Sequence, residues 1–502
     1  MSKKSIALLL ISCLVAGTLS GCTTKKDSNV KDIPTSSETT APADPFPGAD
    51  LKGVTIKVQG LQNPETADEA KKDMWRQRKE EVEKKFNCKL QFDATNGIDW
   101  NDVPAKLVAS VASGDPLFDV GNVSRYYISE MVNGNSIMDL SKPVTDYKFP
   151  KAYYEDMSQY QGKIIGFLSD PSFTFNVMVY NRDLIKQAGM EKLPEEMFKE
   201  GKWSYDDFYN YLTQLRSKLP KEVNMLGMHA LTWAEMVGYA NGGYLLNPKT
   251  YIPEYNKEPM IQSVQFLQKL VQNKLAVNAT QITRDDGTTG YDWNKVMEGN
   301  MDGKLVFWSG ATWEFAGYTA KFDWGIVPPP YGPQVTVKDN DYKTLSENYR
   351  SFVPDAGIWV IPTTSKPKAT PEQYMNLVFS YNKESGDQLI IDREKEAKGQ
   401  AITSKDAGKI RDFTSELDVE LWDWYQSRTQ FEPMNSSEPA PKPFRTLYKV
   451  CALNVDPRAE FDAIIGEDLY GLIDAKLLDP SSLSGDLKKQ YDDYVAANPK
   501  KK

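Results

Sequence analysis

Trp308 and Trp313 flank the short polar run Ser309-Gly310-Ala311-Thr312, directly after the apolar residues Leu305-Val306-Phe307. An indole offers a flat apolar face, while hydroxyl, amide and guanidinium groups donate and accept hydrogen bonds around it. Such a set can hold a ring whose faces are C–H and whose edge is hydroxyl; it can equally be packing. The apolar run predicts a strand that breaks at Ser309, which puts Trp308 at the strand end and Trp313 beyond the turn. For Trp308 packing and binding fit equally well. The chain carries 11 Trp, 26 Tyr and 20 Phe. That is more indole than a core of this size needs, so surface or cleft aromatics are expected.

Covalent and metal chemistry have little to work with. His229 is the single histidine, so His-rich metal sites are all but excluded and a Ser-His-Asp triad would depend on that one residue. His229 reads as a structural or surface residue. The G-x-S-x-G elbow of many esterases is absent. With 69 acidic residues a carboxylate pair can always be imagined, but no spacing singles one out. Glu298, Asn300, Asp302 and Gly303 mimic the start of a calcium loop, yet Ser309 stands where such loops need a bidentate glutamate. No metal and no cofactor is expected. A formal charge of −9 without a basic stripe argues against nucleic acid as a partner.

Alternating and helical periods place these residues on a β-α-β-α framework, an α/β fold with a largely parallel sheet. "GVTIKVQG" is a strand with Val54, Ile56 and Val58 on one face, followed by a charged helix over about 67–86. "CKLQFDAT" and "LFDVGNV" are further strands, and "DVPAKLVASVASG" is a helix stopped by Gly114. "TFNVMVYNRDLIKQAGM" runs from strand to helix. "WSYDDFYNYLTQLRSKL" starts a helix with acids in its first turn. Ile261, Val264, Leu267 and Leu270 recur at helical spacing. The last 120 or so residues read as mostly helical.

The N-terminus "MSKKSIALLLISCLVAGTLSGC" has Lys3 and Lys4, an apolar run from Ile6 to Leu19, then small residues: the pattern of a secretory signal. Leu19-Ser20-Gly21-Cys22 resembles the lipobox of bacterial lipoproteins. That resemblance implies removal of residues 1–21 and a diacylglyceryl thioether on Cys22, with the membrane reached through the lipid anchor only. No other apolar run approaches the ~18 residues of a membrane span. Residues 22–50 are rich in Ser, Thr, Pro and charge and read as a disordered tether. A spacer of this kind fits the outer face of the cytoplasmic membrane of a Gram-positive cell. Cys13 leaves with the signal, and Cys88 and Cys451 are expected unpaired and buried, although the compartment permits a disulfide.

Five stretches in order resemble one family. They are "AKLVASVASGDPLFDVGNV", "VMVYNRDLIKQAGM", "WSYDDFYNYLTQL", "YANGGYLLN" and "GKLVFWSGATW". Together they resemble the extracellular solute-binding proteins of carbohydrate-importing ABC transporters, from about Gly53 to Ser380 and less clearly to Lys476. Two departures stand out. Leu117-Phe118 intervene between Pro116 and Asp119, and Ala311 stands where the family usually has glycine, with Gly310 one residue early.

The resemblance implies a two-lobed periplasmic-binding-protein-like fold of type II, with a hinge the chain crosses more than once. The first lobe is expected over 51–168 and 328–380, the second over 169–327 and 381–502. Ligand would lie in the cleft at the C-terminal ends of strands. Closure of the lobes would present a surface to the permease subunits of an ABC transporter. Trp313 matches the family's sugar-stacking tryptophan. Trp233, before Asn241-Gly242-Gly243, falls in a region that often contacts ligand in relatives, and Arg125 and Tyr126 follow a strand whose end faces the cleft. Gln59 and Gln62 flank the end of the first strand, and Asp355 lies where the chain returns to the first lobe. Trp359 reads as core. The partner is then a carbohydrate, an oligosaccharide on the strength of the chain's length, and the protein a monomer. Two rivals stay open: a lipid-anchored glycan-active enzyme, and a binder of another solute such as a peptide.

Overall fold

The structure is a computed structural model. It describes residues 44–92, 95–98, 100, 102–154, 157–160, 162–169, 176–248, 250–278, 281–283, 289–291, 302–311, 321–353, 357–400, 402, 415–431, 450, 455–474 and 478–499. Its two larger sheets sort the chain. The first contains β1 (Thr55–Gln59), β2 (Lys89–Gln91), β3 (Val120–Ser124) and, from much later, β9 (Gly357–Val360). Their order is β9-β3-β1-β2. β1 pairs parallel with both β2 and β3, and β9 runs antiparallel to β3.

The second sheet contains β4 (Asn176–Asn181), β5 (Asn224–Met228), β6 (Val277–Asn278), β7 (Leu305–Ala311) and β8 (Trp324–Val327). Their order is β8-β4-β7-β5-β6. This sheet is mixed rather than largely parallel, because β4 runs against both β7 and β8. The reason is topological. The chain enters this sheet at Asn176, beside the end of β7, and leaves along β8 toward the same edge. Strands that enter and leave by one edge must be antiparallel.

β7 also runs further than its apolar run predicts. Ser309, Gly310 and Ala311 stay in register with Met178, Val177 and Asn176. The partner strand offers backbone groups to Asn176, and the ladder continues as long as they are there to be satisfied.

Local chemistry sets the helices. Ser204 accepts at Oγ from the Asp207 amide at 3.2 Å, and Asp207 accepts from the Ser204 amide at 2.9 Å. This reciprocal cap starts the helix Tyr205–Lys218 and is worth about 1 kcal/mol. Gly114, at φ +85°, closes the helix Val103–Ala112. Ile261, Val264, Leu267 and Leu270 are all buried on the helix Glu258–Gln272, each stabilising by roughly 2 kcal/mol.

Contacts outside the sheets associate two further segments with one sheet or the other. The segment 331–349, expected with the first sheet, packs with the second. Tyr331 and Trp203 exchange a backbone bond at 3.0 Å, and Tyr342 and Tyr349 pack against Trp424 with centroids 5.2 and 5.3 Å away. The helix Lys383–Ala397, expected with the second lobe, packs on the first: Tyr153 donates to Asp392 at 2.9 Å, and the Lys151 amide to Glu396 at 3.0 Å. Among the described residues the chain thus runs first sheet, second sheet, first, second, with three crossings. Near one of them Ser351–Val353 pairs parallel with Thr429–Phe431.

Phe46 and Pro47, expected within the tether, are packed against the chain. Phe46 is buried and stacks on Phe379 at 5.5 Å, and the side chain of Asn376 donates to the Pro47 carbonyl at 3.2 Å. Cys88 is a buried free thiol, its pKa pushed up to about 11 by burial, while Cys451 lies outside the described residues. Of the calcium-like run, Glu298 and Asn300 lie outside the described residues, and Leu305 to Ser309 are strand rather than loop. No described group of three or more His, Cys, Asp or Glu is placed to hold a metal. No described helix is long and apolar enough to cross a membrane.

Candidate functional site

β1, β2 and β3 are parallel, so their C-terminal ends share one edge of the first sheet. Beyond that edge the chain turns polar. Gln59 ends β1 and Gly60 to Asn63 follow it, Thr95 and Asn96 follow β2, and Thr66 and Asn382 complete the lining of a cavity of about 420 Å³. Every side chain there except Leu61 and the bare Gly60 is an amide or a hydroxyl, and none is charged. Such groups both donate and accept, which suits a hydroxyl-rich neutral ligand.

The lining is pre-set by its own bonds. Thr95 donates its hydroxyl to Gln59 Oε1 at 2.5 Å. Asn63 Oδ1 accepts from the Glu65 amide at 3.0 Å and so caps the short 3-10 turn Pro64–Thr66. Gln62 donates to the Asn63 carbonyl at 3.0 Å, and its own carbonyl accepts from the Tyr381 hydroxyl at 2.6 Å. Gly60 takes φ +87°, a conformation that favours glycine, and an added Cβ would lie 2.5 Å from the Cβ of Asn122.

Arg125 follows β3 in the 3-10 turn Arg125–Tyr127. It is buried, and its Nε lies 3.4 Å from the Met157 carbonyl. Burial raises the pKa of Tyr251, and the positive charge of Arg125 acts against that rise. Tyr251 belongs to the chain between β5 and β6. Tyr126 lies in the same turn, but its side chain falls outside the described residues.

In the second sheet β5 and β7 are parallel, and their C-terminal edge carries His229 just after β5 and Ser309 to Ala311 at the end of β7. His229 Nδ1 is 3.1 Å from the Thr232 hydroxyl. Burial pushes the imidazole pKa down to about 3, so His229 is neutral and makes a poor proton carrier at physiological pH.

The tryptophans part company. Trp233 is completely buried, its ring parallel to that of Phe208 with centroids 6.5 Å apart, and among the described residues its Nε1 has no hydrogen-bond partner. Trp308 is also buried, in mid-strand opposite Val179 and edge-on to Phe322 at 6.3 Å. Neither offers a face to solvent, so packing accounts for both. Trp359 is core as expected, and sits 6.4 Å from Phe167. Trp313 and Asp355 lie outside the described residues.

Of the candidates, the structure places Gln59 and Gln62 in one cavity and Arg125 on the same sheet edge. It adds Asn63, Thr66, Thr95, Asn96 and Asn382, which sequence reasoning missed. Asn63-Pro64 was a readable signal, a capping residue followed by proline at the first turn position. Asn382 carried none, because it joins two helices without a break in the polar pattern.

A family model described as bacterial extracellular solute-binding protein matches residues 65–381. No curated protein matches in sequence. Among solved structures, the GacH receptor of Streptomyces glaucescens GLA.O, solved unliganded and with acarbose, is similar with TM-score 0.56 and 16% identity, over 84% of this chain and 99% of that one. The ABC substrate-binding protein Lmo0181 from Listeria monocytogenes, in complex with cycloalternan, gives 0.58 and 15% over 84% and 99%. UgpB from Mycobacterium tuberculosis, in complex with glycerophosphocholine, gives 0.57 and 15% over 84% and 99%. At these identities the likeness concerns the fold, the two-lobed type II arrangement of periplasmic binding proteins. The family match spans more than half of the sequence, and the chain belongs to the bacterial extracellular solute-binding proteins, a family that binds its ligands without transforming them.

Proposed function

We propose that this protein captures a neutral carbohydrate, an oligosaccharide, between its two lobes and delivers it to the permease of an ABC transporter. The observation that carries this reading is the uncharged amide-and-hydroxyl lining of the cavity at the end of β1. A peptide would call for groups to pair its charged termini, and a phosphate for a cationic cradle. Gln59, Gln62 and Arg125 then serve the first-lobe half of the site. Trp313 is the proposed stacking platform, with Tyr126 and Asp355 beside the ligand. GacH with acarbose and Lmo0181 with cycloalternan support a saccharide among proteins of this fold.

The same reading makes Cys22 the lipidated residue after removal of residues 1–21, and holds the protein, as a monomer, outside the cytoplasmic membrane. Metabolic labelling with a palmitate analogue tests this: Cys22→Ala should abolish incorporation and release the protein to the medium.

A thermal-shift screen against neutral oligosaccharides, acidic oligosaccharides and peptides tests the ligand class, followed by calorimetry on any hit. A ligand at 100 times its Kd stabilises the folded state by about 2.7 kcal/mol. Stabilisation by a neutral oligosaccharide is expected, with no product formed from it. Stabilisation by peptides alone would overturn the reading, and turnover of a glycan would favour an enzyme. Trp313→Ala should weaken the hit about tenfold, a change of ~1.4 kcal/mol.

A further inference from the structure

We propose that Thr95 is a positioning residue of this site. Its hydroxyl holds the Gln59 amide so that only the NH2 end is offered to the ligand, which must bring an acceptor oxygen to meet it. The inference rests on the carbohydrate reading and deepens it by giving one of the site's hydrogen bonds a direction. Thr95 and Gln59 both line the polar cavity, one after β2 and the other at the end of β1. Thr95 opens the turn 95–98, which the Ile98 amide closes by donating to the Thr95 carbonyl at 2.9 Å, with Gly97 at φ +77°. The turn fixes the backbone that carries the hydroxyl, and Thr95 is buried.

Gln59 is half-buried and pairs with Gly121 of β3. An added Cβ at Gly121 would fall 2.7 Å from the Phe118 ring and 2.8 Å from the Gln59 Cβ, so glycine there leaves the stem of Gln59 in place. At the far end of that stem the Thr95 hydroxyl donates to Oε1 at 2.5 Å. Among the described residues Gln59 Nε2 has no hydrogen-bond partner. Turning the amide over would set Nε2 against the hydroxyl and leave the hydroxyl hydrogen without an acceptor among the described residues. A buried donor left unpaired is costly, so the oxygen stays on Thr95 and the NH2 is the free end. A carboxamide whose oxygen is committed in this way serves the ligand as a donor. A ring, glycosidic or hydroxyl oxygen of a neutral saccharide accepts from it, whereas the ammonium of an amino sugar does not.

The test uses the mature chain without its anchor and the strongest neutral-oligosaccharide hit of the screen. Thr95→Val, which keeps the shape and loses the hydroxyl, should raise Kd at least about fivefold by calorimetry. Thr95→Ser restores the hydroxyl and should recover affinity to within about twofold of wild type. In a Gln59→Ala background Thr95→Val should cost less than about twofold, because the amide it positions is gone. A smaller loss with valine, no recovery with serine, or an equal loss in both backgrounds would overturn the role of Thr95 while leaving the carbohydrate reading intact. Gln59→Glu replaces the donating end by an acceptor and should raise Kd at least about tenfold; a smaller rise would refute the assigned direction. If Thr95→Val melts early, Gln59→Glu is read alone by that criterion. A wild-type protein that binds no saccharide of the panel would defeat the carbohydrate reading and this inference with it.

Discussion

Arg182 donates from Nη2 to both carboxylate oxygens of Asp418, each at 2.8 Å, across 236 residues of sequence. The same guanidinium reaches the Tyr180 hydroxyl and Glu195 through Nε, both at 3.2 Å. Arg182, Glu195 and Asp418 are all buried. Asp418 sits in the helix Glu416–Gln426, so this cluster ties the late chain to the second sheet. A buried pair adds little over an apolar substitute, yet removing one partner strands the other.

Asp418→Ala should therefore cost about 3 kcal/mol in urea unfolding, whereas an exposed pair such as Lys142–Asp146 should cost far less. Burial outweighs the attraction of Arg182 and pushes the Asp418 pKa from 3.8 up to about 6. The folded state then holds this proton more tightly than the unfolded state does. The contribution of Asp418 to stability accordingly falls as pH rises from 3.8 to about 6. Asp418→Asn should remove that part of the pH profile, and an unchanged profile would refute the assignment.

His229 should behave in the opposite sense. Its folded pKa is lowered from 6.5 to about 3 by burial, so below pH 6.5 the unfolded chain takes up a proton that the folded one refuses. Stability from this group is complete above 6.5 and is lost as pH falls toward 3, at up to about 1.4 kcal/mol per pH unit. As the sole imidazole, it gives one Cε1–H resonance in tag-free protein. That resonance should not titrate between pH 5 and 8, and a midpoint near 6.5 would contradict the burial.

How far the sequence could be read follows from which signals are local. Strand alternation at Ile56 and Val58, the Ser204 cap and the helix stop at Gly114 were legible because each is decided within a few residues. The extent of β7 was not, since Ser309 to Ala311 stay in the ladder through their pairing with β4. Lobe membership of 331–349 and of the helix Lys383–Ala397 depends on ring packing and bonds to residues far off in sequence. In the candidate site, Gln59, Gln62 and Arg125 were legible as polar residues at strand ends.

Trp233 shows how an aromatic residue near a glycine turn can mislead. Its ring lies against Phe208 under the helix Ala230–Tyr239, with Phe208 in turn edge-on to Phe307 at 5.3 Å. Trp233→Ala should cost about 3–5 kcal/mol in stability, through lost burial and the cavity left behind. Trp233→Phe should recover most of that loss and leave ligand affinity unchanged. A variant that folds as wild type but binds much more weakly would return Trp233 to the ligand site.

Phe46 makes a similar argument at the other end of the chain. Composition reads residues 22–50 as tether, yet the ring of Phe46 is buried. It lies against Phe379 and, at 6.5 Å, Tyr147, and an added Cβ at Gly386 would come within 2.8 Å of it. Burial of an aromatic ring outweighs the entropy of ordering the few residues that carry it, about 1–2 kcal/mol each for the backbone, only because the Asn376 to Pro47 bond and the buried Leu51 share that cost. Phe46→Ala should thus destabilise the protein by about 3 kcal/mol in urea while leaving ligand affinity as it was. A truncation that begins at residue 51 should lose at least as much. If the truncated chain proved as stable as the full one, the ring would be resting on the helix Pro371–Tyr381 rather than holding it.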